Sequence, residues 1–243
     1  MPKVRLHVDH PLGPGQTVPL TREQAHYLFG VMRLGPADPV LLFNGRDGEW
    51  RAEVAEAGKR GGTLACVEQS APQRDPPDLW LLFAPVKKAR TDFIVEKAVE
   101  LGVARICPVT TEFTNAERVR RDRLQAHAVE AAEQCGATFV PEVVELARLA
   151  RVLAALGDHR LLFCDETLGA GPDLAGAEPG PWAILIGPEG GFSDAERTLI
   201  RAHPGALAIG LGPRILRADT AAVAALTLWQ AALGDWRGSG GSP

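Results

Sequence analysis

The chain has 243 residues, of which 46% are hydrophobic, and its formal net charge at pH 7 is −4. This length suits one large domain or two modest ones, and the acidic balance argues against a generic grip on nucleic acid over the whole surface, although a local basic patch is compatible with it. No apolar stretch is long enough to cross a bilayer, and no charged-then-apolar leader opens the chain. We therefore expect a cytoplasmic protein that does not use a membrane.

The cysteines and histidines carry little functional signal. None of the four cysteines lies in a C-x-x-C pair, and three of them sit in apolar runs, which indicates buried free thiols in a reducing compartment. The six histidines show no ligand spacing such as H-E-x-x-H. We therefore predict no metal site.

The amino-terminal part of the sequence predicts short strands and one helix. Residues 4–8 alternate in polarity, and residues 38–69 contain three strands, of which the first two are joined by an Asn-Gly-Arg-Asp-Gly turn. Thr21 can cap the helix, with Gln24 in the reciprocal capping-box position. The predicted apolar face of the helix consists of Leu28, Val31, Met32 and Leu34. Many short strands with one helix indicate a small barrel.

A proline-rich segment from Ser70 to Asp78 is typical of a linker, and strands and helices alternate after it. The predicted strands are residues 79–85, 104–109, 160–164, 182–187 and 206–211. The predicted helices are residues 91–101, 119–135, 146–156, 193–202 and 219–233. The strands are continuous apolar runs, which parallel strands covered on both faces require. This pattern predicts an α/β domain that binds its ligand at the carboxyl ends of the strands.

Two of these strands end in comparable glycine-bearing loops. One continues into Pro-Glu-Gly-Gly at residues 188–191, and the other spans residues 211–222. Each precedes a helix start: Ser193 with Glu196 fits a capping box, and Asp219 or Thr220 can cap the last helix. Neither loop contains a phosphate-binding G-x-x-x-x-G-K-[ST] or G-x-G-x-x-G fingerprint. A ligand held by main-chain hydrogen bonds, such as an adenosine-containing cofactor, suits them better. Ordinary tight connections are the alternative.

The same loops, "IGPEGGFSDAE" and "LGPRILRADTAAVAAL", resemble the signature loops of the bacterial 16S ribosomal RNA (uracil-N3) methyltransferases, a family of the SPOUT superfamily. The similarity extends to "KKARTDFIVEKAVELGV" at residues 87–103, to "EQCG" at residues 133–136 and to "HYLFGVMRL" at residues 26–34. Two residues depart from the family pattern. Met32 replaces a usual Leu, and Ala137 stands where an Arg commonly follows.

The resemblance implies an enzyme that methylates uridine N3 in small-subunit ribosomal RNA with S-adenosylmethionine as cofactor. It implies an α/β fold class in which a small PUA-like β-barrel domain precedes a SPOUT-like parallel-sheet domain with a trefoil knot, and it implies a homodimer. The expected division is an RNA-binding barrel over residues 1–70, a linker over 71–78, the methyltransferase domain over 79–237 and a disordered tail over 238–243.

Candidate site residues follow from the resemblance and from the two loops. The cofactor would be held by Ile186, Gly187, Glu189, Gly190, Leu211, Gly212, Ile215 and Leu216. The RNA would be contacted by Arg33, Arg46, Lys88 and Arg90. Arg217 is the catalytic candidate, because a guanidinium at the uracil oxygens lowers the N3 pKa, and its alternative role is an ion pair with Asp219 or Glu189. Glu189 could face the cofactor amine or accept a hydrogen bond from a loop N–H.

Two other functions are compatible with the pattern. The first is a nucleotide-dependent enzyme on a doubly wound sheet, against which the missing phosphate fingerprint counts. The second is a non-catalytic RNA-binding module, which the barrel suggests and the overall acidity disfavours as the whole function.

Overall fold

The computed structural model describes residues 4–58, 61–115, 119–168, 174 and 176–237. The chain divides into two compact units. The first is formed by the residues up to Asp75 together with Ala132–Val140, and the second by Pro76–Ala131 together with the residues from Pro141 onward. The tail that we expect to be disordered, residues 238–243, lies outside the described residues.

The first unit is built on one five-stranded sheet. Its strands are β1 (Arg5–His7), β2 (Thr17–Pro19), β3 (Pro39–Phe43), β4 (Glu49–Gly58) and β5 (Gly61–Ala71), in the order β1-β3-β4-β5-β2. β1 runs parallel to β3, and the remaining pairs are antiparallel. Inward-facing side chains such as Val18, Val40, Leu42 and Leu64 are fully buried and form the core of this unit.

Helix α1 (Arg22–Ala25) of the first unit begins at the predicted capping box. The Thr21 hydroxyl accepts a hydrogen bond from the Gln24 N–H at 3.2 Å, and the Gln24 side chain accepts one from the Thr21 N–H at 3.0 Å. Because side chains satisfy two N–H groups at the start of this helix, residues close in sequence fix where the helix begins.

The predicted apolar face of this helix is partly wrong. The chain continues from α1 as a π-helical segment, His26–Val31, in which the Met32 N–H donates to the Tyr27 carbonyl at 2.9 Å. Leu28 is fully buried, but Val31 is 58% exposed and Met32 is 37% exposed. An i→i+5 hydrogen bond changes the angular spacing of the side chains, so residues chosen by the α-helical period no longer share one face.

The second unit is an α/β structure around a parallel sheet, as predicted. Its strands are β6 (Leu79–Phe83), β7 (Arg105–Thr110), β8 (Glu142–Val143), β9 (Ala147–Arg148), β10 (Arg160–Cys164), β11 (Trp182–Ile186) and β12 (Ala206–Ile209). Its helices are α2 (Lys88–Glu100), α3 (Arg121–Cys135), α4 (Leu149–Ala154), α5 (Asp194–Arg201) and α6 (Ala218–Ala232), and the residues of α3 from Ala132 on belong to the first unit. The two-residue strands β8 and β9 are too short to leave a pattern in the sequence.

The order of the strands brings three loops together. The sheet runs β12-β10-β11-β6-β7-β8, with β9 also pairing with β7, and every pair is parallel. All five residues of β11 are buried, which explains its continuous apolar sequence. β10 lies between β11 and β12, and all three strands run in the same direction. The loops that follow them therefore open side by side at the same edge of the sheet.

The two helices that follow the glycine-bearing loops begin differently. α5 starts at the predicted capping box, in which the Ser193 N–H donates to Glu196 Oε2 at 3.0 Å. The predicted cap of α6 is wrong: the helix begins at Ala218, and its N-cap is Arg217, which makes no side-chain capping hydrogen bond. Asp219 therefore lies inside the first turn, where its negative charge interacts favourably with the helix dipole.

The cysteines follow the sequence expectation in part. Cys66, Cys107 and Cys164 are buried free thiols, whereas Cys135 is exposed. Burial raises the pKa of Cys107 and that of Cys164 to about 12, so both thiols stay protonated at neutral pH. Of the helices in the described part of the chain, none combines the length and the apolar character that a membrane span requires.

Candidate functional site

A cleft of about 620 Å³ opens at the carboxyl ends of β10, β11 and β12. The residues that line it at the end of β10 and beyond are Cys164, Asp165, Glu166 and Leu168, and those at the end of β11 and beyond are Ile186, Gly187, Pro188, Glu189 and Gly191. Those that follow β12 are Leu211, Gly212, Arg214, Ile215, Leu216, Ala218 and Ala221. The cleft lies at the edge of the sheet where the sequence placed a ligand.

The structure brings together all but one of the predicted cofactor residues. The members that line the cleft are Ile186, Gly187, Glu189, Leu211, Gly212, Ile215 and Leu216. Gly190 is the exception: a Cβ built on it would lie 3.0 Å from the Cβ of Phe113, so this glycine faces Phe113 and not the cleft.

The loop after β10 is a part of the site that sequence reasoning missed. It contributes Asp165, which is 1% exposed, and Glu166, which also lines the cleft. The available signal was the Asp-Glu pair directly after the apolar run of residues 160–164. That signal carries weight only once β10 is known to lie between the two strands that bear the glycine loops.

Arg197 of α5 joins two of the loops around the cleft. Its guanidinium donates to Asp165 Oδ1, to Glu166 Oε1 at 2.6 Å and to the Phe192 carbonyl at 3.2 Å. Its side chain is 13% exposed, and that of Asp165 is fully buried. Three hydrogen bonds from one rigid planar group therefore hold the β10 loop against the β11 loop, and we call this arrangement the Arg197 clamp.

The charges of the clamp stabilise one another. Burial by itself raises the pKa of the Asp165 carboxyl, but hydrogen bonds from Thr167 and Arg197 outweigh burial and lower this pKa below its ordinary value. Thr167 contributes its hydroxyl at 2.8 Å and its N–H at 3.0 Å. Burial lowers the pKa of Arg197, yet Asp165 and Glu166 raise it overall. Both groups are therefore charged at neutral pH.

Glycine is required for different reasons in the two loops. A Cβ on Gly187 would lie 2.6 Å from a ring carbon of Phe192, so a side chain there cannot fit unless the ring moves. Gly212 has φ +102° and nothing within 4 Å of a built Cβ, so it needs glycine for its backbone conformation and leaves open space at the cleft wall. The β11 loop is thus packed from behind, whereas the β12 loop is open.

Several predicted charged residues have partners that differ from the predicted ones. Glu189 Oε1 accepts a hydrogen bond from Arg90 Nη1, so a cofactor candidate and an RNA candidate pair with each other, and no loop N–H is involved. Arg217 is exposed and forms no ion pair with the described residues, so its alternative role as a partner of Asp219 or Glu189 is wrong. Lys88 is exposed and has no polar partner in the described ranges.

The remaining predicted RNA contacts lie in the first unit. Arg33 is exposed, follows the π-helical segment with φ 58° and makes no hydrogen bond to residues that the structure describes. Arg46 is exposed and approaches the Asp9 carbonyl at 3.4 Å. At Ala137, where the related family commonly has an Arg, the carbonyl accepts a hydrogen bond from Arg5 at 2.9 Å.

Comparison with known proteins identifies the two units. A family model described as an RNA methyltransferase domain matches residues 73–230, and one described as an RNA methyltransferase PUA domain matches residues 20–64. Ribosomal RNA small subunit methyltransferase E from Synechocystis sp. is 32% identical over 221 residues, which covers 86% of this chain and 71% of the relative.

Two solved structures share the whole fold. A methyltransferase from Legionella pneumophila, in complex with the cofactor SAM, superposes with a TM-score of 0.87 at 30% identity and covers 96% of this chain and 98% of its own. Ribosomal RNA small subunit methyltransferase E from Neisseria gonorrhoeae, bound to S-adenosyl methionine, has a TM-score of 0.83 at 27% identity, with 96% and 99% covered. The predicted α/β SPOUT-like fold class with a preceding PUA-like domain is confirmed, and the knot stays a prediction. The chain therefore belongs to the RNA methyltransferase family, in the group of ribosomal RNA small subunit methyltransferase E.

Proposed function

We propose that this RNA methyltransferase transfers the methyl group of S-adenosylmethionine to N3 of a uridine in the 16S ribosomal RNA of the small subunit. The observation that carries the proposal is the cleft at the ends of β10, β11 and β12, which combines seven of the eight residues predicted to hold the cofactor. The SAM complexes of the Legionella and Neisseria relatives support the choice of ligand.

The residues of the cleft fit this cofactor. Ile186, Leu211, Ile215 and Leu216 offer apolar surface to an adenine ring. The main chain of residues 211–216 forms no hydrogen bond with the rest of the described chain, so its N–H and C=O groups are free to bind the ligand. Glu166 and Glu189 place carboxylate oxygens in the lining, and these oxygens, although paired with Arg197 and Arg90, can also accept a hydrogen bond from the ammonium of the ligand.

The residues of this chain have three tasks in the reaction. When bound, S-adenosylmethionine supplies an electrophilic methyl group on a sulfonium. The site must hold the uracil ring in line with that methyl group, exclude water and favour loss of the N3 proton. We assign the last task to Arg217, whose exposed guanidinium has no competing ion pair with the described residues and can donate to a uracil oxygen. The proposed cofactor residues are the seven predicted ones that line the cleft, and we assign to Gly190 the close packing of the β11 loop against Phe113.

Replacement of Arg217 tests the proposal. We expect Arg217→Ala to lower labelled methyl transfer to 16S ribosomal RNA by about 100-fold or more, as loss of a preorganised donor does elsewhere, while the affinity for S-adenosylmethionine by calorimetry stays within about twofold. Arg151→Ala is the matched control, because Arg151 is also an exposed arginine of the second unit without an ion pair among the described residues. Turnover of Arg217→Ala within a few-fold of wild type would refute the assignment.

We also propose the finer features that the resemblance implies. These are a homodimer, a trefoil knot in the second unit, a cytoplasmic location, RNA contacts by Arg33, Arg46, Lys88 and Arg90, and the domain limits 1–70 and 79–237 with a linker over 71–78. Light scattering coupled to size exclusion measures the oligomeric state. Mass mapping of ribosomal RNA from a strain that lacks the protein, after methylation in vitro, identifies the modified nucleotide and would contradict the proposal if the methyl group lay on another base or atom.

A further inference from the structure

A second cleft of about 460 Å³ lies beside the first and shares Pro188 and Glu189 with it. Its other lining residues are Pro85, Val86, Lys87, Phe113 and Asn115. They follow β6 and β7, which are the next strands along the sheet after β11. The second cleft therefore opens at the same edge of the sheet as the first, and the β11 loop forms the wall between them.

Phe113 presents an aromatic ring at this cleft. It is 42% exposed and lies in the turn that follows β7. The turn that carries it is fixed by hydrogen bonds from the Thr111 N–H to the Thr114 hydroxyl at 2.8 Å and from the Thr114 N–H to the Thr111 carbonyl at 3.1 Å. The absence of a side chain at Gly190 lets Phe113 approach the β11 loop, because a Cβ there would lie 3.0 Å from the Phe113 Cβ. The turn that carries the exposed ring is therefore fixed by hydrogen bonds and packs closely against the β11 loop.

Two polar side chains of the same cleft are available to a ligand. Lys87 is the exposed N-cap residue of α2, and Asn115 is exposed in the loop after β7. Neither side chain forms a hydrogen bond or ion pair with another residue that the structure describes. An ammonium donates to carbonyl oxygens, and a carboxamide both donates and accepts.

This combination matches the chemistry of a single pyrimidine base. A uracil ring offers a π-face, two carbonyl oxygens that accept hydrogen bonds and one N–H that donates. Aromatic side chains bind unstacked bases by stacking, and a base must leave its stack before it can be modified. We propose that the second cleft receives the pyrimidine ring of the target nucleotide, stacked on Phe113, with the Lys87 ammonium or the Asn115 carboxamide donating to one carbonyl oxygen, so that N3 stays free to face the methyl donor. This inference rests on the proposed function, because the adjoining cleft must hold the methyl donor.

The experiment compares Phe113→Ala with Phe93→Ala. Phe93 is a matched control: it is 39% exposed, lies on α2 of the same unit and lines neither cleft. We expect Phe113→Ala to lower kcat/KM for a ribosomal RNA fragment by about tenfold or more, as loss of one stacked base contact does, while the Kd for S-adenosylmethionine changes by less than about twofold. We expect Phe93→Ala to match wild type in both measurements.

Two further variants separate stacking from packing. Phe113→Trp keeps an aromatic face and should retain most of kcat/KM, whereas Phe113→Leu keeps apolar volume and should lose activity as Phe113→Ala does. Full activity of Phe113→Ala or Phe113→Leu, or an equal loss in Phe93→Ala, would overturn the inference alone if the wild-type protein methylates the RNA. A wild-type protein that binds S-adenosylmethionine but methylates no RNA would overturn the proposed function, and the inference with it.

Discussion

The loops after β11 and β12 line the same cleft, but they are held in opposite ways. The β11 loop is fixed from behind: Arg197 binds the Phe192 carbonyl, Arg90 pairs with Glu189, and Gly187 lies against the Phe192 ring. The main chain of the β12 loop, by contrast, forms no hydrogen bond to the described residues over positions 211–216, and Ile215 is 84% exposed. Their sequences suggest two loops of one design.

The difference indicates how the site is built. A clamped loop supplies a fixed wall whose geometry exists before any ligand arrives, which reduces the ordering cost of binding. An open loop supplies unpaired main-chain groups and an exposed apolar side chain that a ligand can contact directly. We therefore expect changes in the β11 wall to alter both stability and affinity, and changes in the β12 loop to alter affinity alone.

The largest effect should come from breaking the clamp. We expect Arg197→Gln to weaken S-adenosylmethionine binding by about tenfold or more and to lower the free energy of unfolding by about 1–3 kcal/mol, because the buried Asp165 carboxylate loses a charged partner. Calorimetry and urea denaturation measure the two quantities.

Arg201→Gln is the matched control for the clamp. Arg201 also binds Asp165, at 2.9 Å, but its side chain is 53% exposed and contacts neither the β11 loop nor Glu166. We expect a change in stability below about 1 kcal/mol and an unchanged affinity. Equal effects of the two substitutions would contradict the clamp.

A smaller effect should follow from trimming the open loop. We expect Ile215→Ala to raise the Kd for S-adenosylmethionine by about fivefold, because apolar surface that the ligand covers is lost, and to leave Tm unchanged, since the side chain is already exposed. Leu199→Ala is the control, since Leu199 is 42% exposed on α5 and outside the cleft. A fall in Tm without a change in Kd would show that Ile215 acts in the fold and not at the ligand.

The smallest effect should be a pH dependence of the free energy of unfolding that comes from Asp165 in the Arg197 clamp. The pKa of Asp165 is lowered in the folded protein, so its contribution to stability is complete above the unfolded-state pKa near 3.9 and is lost as the pH falls below that value through the folded-state pKa. Urea unfolding at pH 5 and pH 3 should show a smaller loss of stability for Asp165→Asn than for wild type. The stability of Asp165→Asn will still fall somewhat as the pH is lowered, because the pKa of Asp47 is also lowered, mainly by a hydrogen bond from the Leu12 N–H. An equal loss of stability between pH 5 and pH 3 in the two proteins would rule out this role for Asp165.

Patterns of residues close in sequence correctly predicted the helix starts that depend only on neighbouring residues. The capping boxes at Thr21 and Ser193 need only residues three apart, and the structure contains both. The π-helical segment was missed because the same apolar residues fit an α-helical period, and the cap of α6 was misplaced because Arg217, which takes the N-cap, has no side-chain oxygen to mark it.

The sequence by itself determined the parallel strands, the helices between them and the two glycine loops at strand ends, because hydrophobic periodicity and backbone freedom are properties of neighbouring residues. Only the tertiary structure decided that β10 lies between β11 and β12, that Asp165 meets Arg197 from 32 positions away, and that Phe113 faces Gly190 across the β11 loop. Those contacts depend on strand order, and strand order is set by the packing of the whole sheet and its helices, which no short stretch of sequence encodes.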